Sequence, residues 1–185
     1  MGICFSTSAQ PEEIKQIFQK RCLLIGRRFR LAHIRAGKKV FEVSTFRAAG
    51  DLDSSSLIIR DNRWGTAEED VMRRDFTTNA LFYDPTTRCV LDYVGGLADI
   101  EQKILRIIGD PASRFKQDPV RMIRLLKFQA RLHFEVELKT KKGLEKCHEE
   151  IVKSAPERIL EEIFRMLETN CSKRFFELMG EANFL

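Results

Sequence analysis

No apolar run in the sequence approaches the roughly 20 residues needed to cross a bilayer, and the start of the chain carries no secretory leader pattern. A cytoplasmic setting without membrane partners is therefore expected. The five cysteines are odd in number, widely scattered and never in a C-x-x-C pair, which argues against both a disulfide framework and a structural zinc site. The three histidines share no ligand spacing of the H-x3-H kind, so no transition-metal centre is expected. Internal repeats and low-complexity tracts are also missing.

What is present is enough to fold: 185 residues, 43% apolar, with 14 Phe, suffice for one ordinary domain or two small ones. The net charge is +5 and the excess is uneven. Between Lys20 and Arg47 nine Lys or Arg residues face a single acid, Glu42, a density that suits a polyanion and equally a solvated, Arg-rich strand edge.

The periodicities predict a mixed first part. Pro11 with Glu12 and Glu13 reads as a helix start, and that helix runs to about Lys20. CLLIG reads as a strand, and RFRLAHIR alternates, with Phe29, Leu31 and His33 on one face and Arg28, Arg30 and Ala32 on the other. A turn at Ala36 and Gly37 returns through KVFEVSTF to complete a β-hairpin. Residues 48–65, rich in Gly, Asp and Ser, read as a mobile loop. Thr66 with Glu69 three residues on forms a capping-box pattern, predicting a helix through EEDVMRRDFTTNAL. DPTTRCVLDYVGG predicts a turn and a short strand, and LADIEQKILRIIG a short helix and another strand.

Beyond Asp118 and Pro119 only helical periodicity remains, in VRMIRLLKFQARL, LKTKKGLEKCHEEIVKS, PERILEEIFRMLET and SKRFFELMG. An α+β region, 1–109, is thus expected to precede an all-α region, 110–185. Within residues 119–132, Arg121, Arg124, Lys127 and Arg131 recur at intervals that place four cations on one face, while Val120, Ile123 and Phe128 can face a core. Such a face is either merely solvated or a rail for phosphates. RRDFTTNAL, from Arg73 to Leu81, gathers cations, a carboxylate, hydroxyls and an amide in one short segment, a set suited to a ribose and a triphosphate.

RRDFTTNAL, DYVGGLADI and DPASRFKQDPVRMIRLLKF together resemble, in order and spacing, the bacterial poly(A) polymerases and CCA-adding tRNA nucleotidyltransferases, the class II branch of the polymerase-β-like nucleotidyltransferases. The resemblance implies an incomplete nucleotidyltransferase head, a helical neck and the start of a helical body. It also implies residue roles. Arg73, Arg74, Asp75 and Asn79 would hold the ribose and phosphates of ATP. The segment carrying Asp92, Gly95, Gly96 and Asp99 would be a flexible connector, its glycines giving backbone mobility. Gln117, Asp118 and Arg121 stand where the family has E-D-x-x-R, which reads the base; Gln117 keeps a carbonyl acceptor but loses the charge. Arg124, Lys127 and Arg131 would face RNA phosphates.

The string LLIGRRFRLAHI resembles the element that marks poly(A) polymerases among these relatives. The function implied is template-independent addition of AMP from ATP to RNA 3′ ends. A CCA-adding enzyme, or an RNA-binding module without chemistry, are the competing readings, and RNA-decay proteins are candidate partners.

The family uses two Mg2+ ions held by a D-x-D pair and a third carboxylate. Glu42 matches the third. The pair falls on Gly2 and Cys4, neither of which binds magnesium as a carboxylate does, and no G-G-x-V-R-D turn precedes it. The chain is therefore expected to be a fragment of a longer protein with impaired or absent catalysis. The opening MGICFS also fits an N-myristoylation pattern with Cys4 as a palmitoyl site, the weaker explanation of the same residues.

Overall fold

A computed structural model of the chain describes residues 5–26, 31–48 and 63–185. The readings made on Gly2 and Cys4, on residues 27–30 and on most of the 48–65 loop lie outside the described residues. Packing divides the chain into two compact units, Met1–Arg73 and Arg74–Leu185.

The first unit is a four-stranded sheet with one helix on its inner face. Its strands are β1 (Phe5–Thr7), β2 (Cys22–Ile25), β3 (Leu31–Ala36) and β4 (Lys39–Thr45), in the order β1-β4-β3-β2. β2 and β4 flank β3 antiparallel, while β1 runs parallel to β4. The β3–β4 hairpin forms as the alternation predicts, and Gly37 takes the positive φ of +60° that its tight turn requires. Ala32 and Ile34 of β3 are buried with Cys22 and with Ile14 of helix α1 (Pro11–Phe18). Leu31 and His33 project to the more open face. α1 starts at its proline, and the Glu13 carboxylate accepts the Gln10 backbone N–H at 2.7 Å. A 3-10 turn, Gln19–Arg21, then leads into β2.

Helix α2 (Ala67–Arg73) opens on the predicted reciprocal cap: Glu69 accepts the Thr66 N–H at 2.8 Å, and the Thr66 hydroxyl accepts the Glu69 N–H at 3.2 Å. It does not run on through RRDFTTNAL. After Arg73 the chain extends, and Phe76 forms an antiparallel bridge to Ile107 before a 3-10 turn over Thr77–Asn79. Local propensity loses here to a long-range backbone pairing and to burial of the Phe76 ring.

In the second unit, a small hairpin of β5 (Phe82–Asp84) and β6 (Cys89–Leu91) leads to α3 (Gly96–Glu101), and β7 (Ile104–Leu105) pairs parallel with β8 (Glu135–Val136). The helices that follow β7 are α4 (Pro111–Gln117), α5 (Val120–Leu132), α6 (Leu138–Cys147), α7 (Pro156–Leu167) and α8 (Ser172–Glu181). α4 is capped by Asp110, whose carboxylate accepts the Ser113 N–H at 2.8 Å. One core joins them: Phe76, Leu105 and Ile107 pack in the same cluster as Met122, Leu125 and Leu126 of α5 and Phe175 of α8. The change of composition near residue 109 is therefore not a packing boundary, because residues on both sides of it share that core. No helix among the described residues is long and apolar enough to cross a membrane.

The two glycines of DYVGGLADI have separate structural reasons, a left-handed backbone at Gly95 and close packing at Gly96. Asp92 accepts backbone N–H groups from Val94, Gly96 and Leu97 at 2.9–3.1 Å. Gly95 is left-handed, with φ +78°. A Cβ on Gly96 would collide with the Thr77 carbonyl. Asp99 is buried, accepting from the Thr77 hydroxyl at 2.6 Å and from the Arg106 guanidinium at 3.0 Å, and Arg106 in turn reaches Glu137 at 2.6 Å. The segment expected to be a flexible connector is thus a hydrogen-bonded turn within the second unit. Gly96→Ala is expected to lower the unfolding free energy of the second unit by about 2 kcal/mol, read from urea denaturation, whereas Gly180→Ala, whose Cβ would meet open space, should not destabilise it.

Candidate functional site

The sequence motifs that suggest nucleotide chemistry converge in the second unit, around the start of α5. Asp75 follows the end of α2 and cannot stay in the helix, because Phe76 is drawn into its bridge. Its carboxylate accepts from Arg121 Nε on one oxygen and from Arg124 Nη1 on the other, each at 2.7 Å. Arg124 Nε also donates to Glu162 Oε1 of α7 at 2.8 Å, and Lys127 pairs with the other Glu162 oxygen. Arg121 Nη1 donates to the Arg114 carbonyl at 2.9 Å, and Arg114 Nη2 donates to the Arg74 carbonyl at 2.6 Å. The end of α4, the start of α5 and the turn after α2 are thereby tied together.

Burial works against ionised Asp75, but the positive charges and hydrogen bonds of Arg124 and Arg121 overcome it and hold the carboxyl below its usual range. Glu162 follows the same pattern: burial would raise it, while Lys127 and Arg124 bring it down. Arg124 is likewise held charged against burial, chiefly by Asp75.

The cations of α5 are therefore not a solvent-facing rail. Arg121 and Lys127 are buried and Arg124 is half-buried. The periodicity does put these three on one face, but that face meets Asp75 and Glu162, which take up the charges that RNA phosphates were expected to meet. Arg131, past these carboxylates, is exposed.

Asp118 sits at the α4–α5 junction. Its backbone N–H donates to the Arg114 carbonyl at 3.2 Å, and its carbonyl accepts the Arg121 N–H at 3.0 Å. Oδ2 accepts from Arg158 of α7 at 2.8 Å, whereas Oδ1 is buried with no hydrogen-bond partner among the described residues. A buried carboxylate oxygen without a donor is costly, so this atom is an acceptor whose capacity the described residues leave unused. Arg121 uses Nε and Nη1 as described, which leaves Nη2 as its remaining donor. An acceptor and a donor at one turn are what recognition of a base edge needs.

Arg74 and Asn79 act locally. Arg74 Nη1 donates to the Asn79 carbonyl at 3.0 Å and its guanidinium lies over the Phe82 ring, 4.4 Å from its centroid. Asn79 Oδ1 accepts the Phe76 N–H at 3.3 Å. Gln117 ends α4 beside Asp118. In the first unit, Arg73 lies 3.6 Å from Asp70.

Glu42 of β4 is exposed and directly opposite His33 of β3, with Oε2 and Nε2 3.4 Å apart. Among the described residues no three His, Cys, Asp or Glu side chains come together to hold a metal ion. One carboxylate against an imidazole is not the oxygen-rich set that magnesium takes. The described residues do not fit a pair of magnesium ions, and what they can supply is binding and orientation.

Arg114, Arg158 and Glu162 are the functional candidates that sequence patterns missed. For Glu162 a signal existed, since it interrupts the apolar stripe of Ile159, Ile163 and Met166 on α7.

Residues 2–106 match the family described as "Poly A polymerase head domain". The chain belongs to this family. Residues 133–185 match a second family, "Probable RNA and SrmB- binding site of polymerase A". Poly(A) polymerase I of Haemophilus influenzae is 38% identical over 95% of the chain, which covers 41% of that relative. A CCA-adding enzyme of Lactobacillus helveticus is 35% identical over 87% of the chain and 40% of that relative. Among solved structures, the Bacillus stearothermophilus CCA-adding enzyme in complex with CTP superposes with a TM-score of 0.81 at 29% identity, over 95% of this chain and 42% of the other. The α+β head followed by a helical neck is therefore the fold of this family, and the chain spans about two fifths of the length of these relatives.

Asp75→Asn removes the counter-charge from two guanidinium groups and is expected to cost about 3 kcal/mol of stability at neutral pH. The wild-type contribution of Asp75 is full above its unfolded pKa of about 4 and is lost as the pH falls through its lower native value. Urea unfolding at stepped pH should therefore show a shallower acid decline in the Asn variant.

Proposed function

We propose that the chain is part of a template-independent nucleotidyltransferase that acts on RNA 3′ ends, with ATP as nucleotide and polyadenylation as outcome, in a cytoplasmic setting. The observation that carries the reading is the unpaired acceptor Asp118 Oδ1 at the turn that also carries Arg121, with Arg158 on Asp118 Oδ2 and Asp75 on the Arg121 guanidinium. Adenine presents an exocyclic amine to such an acceptor and a ring nitrogen to such a donor. Arg74, from the turn after α2, is the cation proposed to contact the phosphates, and Asn79 keeps that turn in shape. Arg73 and Glu42 belong to the same family pattern and are proposed as a phosphate-contacting cation and the surviving metal ligand.

Addition of AMP rather than CCA is favoured by two things. The segment Leu23–Ile34 carries the poly(A)-type string, and over comparable shares of this chain the poly(A) polymerase I of Haemophilus influenzae is 38% identical whereas the CCA-adding enzyme of Bacillus licheniformis is 33% identical. Cytosine also has an amine beside a ring nitrogen, so the CCA-adding alternative rests on the same two atoms. With Gly2 and Cys4 at the positions of the aspartate pair, turnover by these 185 residues alone is proposed to be weak or absent, while binding persists. RNA-decay proteins are proposed partners of the full-length enzyme, on the basis of the activity alone.

Two assays test this. Labelled ATP, CTP, GTP and UTP are titrated into the chain, and ATP and CTP are offered with unstructured RNA and with tRNA lacking its 3′ end. Binding that prefers ATP, is abolished by Asp118→Ala, and comes with little incorporation is the expected result. Equal binding of all four nucleotides would overturn the base-reading assignment. Robust incorporation of CTP into tRNA would replace polyadenylation by CCA addition.

A further inference from the structure

The helices of the second unit pair most of their cations with carboxylates. On α5 Arg121, Arg124 and Lys127 meet Asp75 and Glu162; on α7 Arg158 meets Asp118 and Arg165 meets Glu161; on α8 Arg174 meets Glu177 and Glu181. Helix α6 is different. Lys139, Lys142 and Lys146 are exposed, and none lies within ion-pair distance of a carboxylate among the described residues. Their spacing of three and four residues puts them on one flank. The helix's buried line is Thr140, Gly143, Leu144 and Cys147, and it packs on α4, where Gly143 sits against Pro111 and the Cys147 thiol reaches the Ala112 carbonyl.

α4 presents the exposed Lys116 in the same region. Burial pushes the Cys147 thiol up, and the charges of Lys116 on α4 and Lys146 on α6, two helices that pack on each other, both act on it in the opposite sense. Nearby acids are Asp110, which feels Lys146 but is engaged as the α4 cap, Glu150, which acts on the same thiol but pairs with Lys153, and Glu145, which shares the other exposed flank with Lys141.

A row of exposed lysines without an ion-pair contact among the described residues, on a packed helix pair, matches the regularly spaced negative charge of a sugar–phosphate backbone, and flexible ammonium groups suit phosphates without reading bases. We infer that Lys139, Lys142 and Lys146 of α6, with Lys116 of α4, form the track along which this chain holds the phosphate backbone of single-stranded RNA, the part that Arg121, Arg124 and Lys127, paired with carboxylates, do not play. The inference rests on the RNA reading above and names the surface that serves it.

The test uses the full 185-residue chain and a labelled 20-nucleotide oligo(A), with binding measured by anisotropy across a series of salt concentrations. For single strands each lost phosphate contact lowers the slope of log affinity against log salt by about 0.7. The triple variant K139Q/K142Q/K146Q should therefore lose about two units of slope, K116Q somewhat under one, and K173Q, on the exposed flank of α8, none. All variants should keep the wild-type melting temperature, because these side chains are solvent-exposed. Unchanged slope in the triple variant while the wild type binds oligo(A) would overturn the track and leave the RNA reading standing. Failure of the wild type to bind oligo(A) in low salt would instead sink the RNA reading itself. A poly-aspartate peptide of equal charge binding the track as tightly as oligo(A) would overturn RNA as its occupant.

Discussion

Two guanidinium groups share one carboxylate at the heart of the second unit, and much of its architecture follows from keeping that charge paired. Asp75 lies 46 residues before Arg121 and 49 before Arg124 in sequence, so satisfying it fixes the turn after α2 against the first turns of α5. Glu162 closes the other side by taking Arg124 and Lys127. Removing ions from water is expensive, and the expense is offset only when every charge has a well-placed partner. Here the partners come from three separate segments, which makes the network a strong constraint on register.

That constraint also divides the labour among the cations. Those on α5 are internal counter-ions that shape a turn. One consequence is that Asp118, whose Oδ2 is held by Arg158, is left with Oδ1 as an acceptor lacking a donor. The lysines of α6, by contrast, have no ion-pair contact among the described residues. Shape, base contact and phosphate contact thus belong to different elements, although the sequence pattern of α5 suggested that one helix might serve all of them.

Much of the fold was legible because its signals are local. The Thr66–Glu69 cap, the helix start at Pro11, the β3–β4 hairpin and α5 all announce themselves within a few residues. What could not be read was set by distant partners. RRDFTTNAL has the texture of a helix, but the pairing of Phe76 with Ile107 interrupts it. β8 is two residues long and exists only because β7 lies beside it. At the site, the motif residues were identifiable by resemblance, yet whether Arg124 and Lys127 face solvent depends on Glu162, a residue that nothing nearby in sequence links to them. The family resemblance implied a flexible connector at DYVGGLADI, whereas the need for Gly96 comes from the close approach of the Thr77 carbonyl and that for Gly95 from its left-handed φ of +78°.

The central claim is that the α5 cations are internal counter-ions rather than contacts for nucleic acid. The Nε–Hε resonance of Arg124 and the ammonium resonance of Lys127, followed by NMR as oligo(A) is added, test it most directly. The account predicts that both signals stay in place through saturation, with slow hydrogen exchange, because Asp75 and Glu162 hold these groups. Progressive, salt-sensitive shifts of both signals with RNA would contradict it and would return α5 to the role of a phosphate rail.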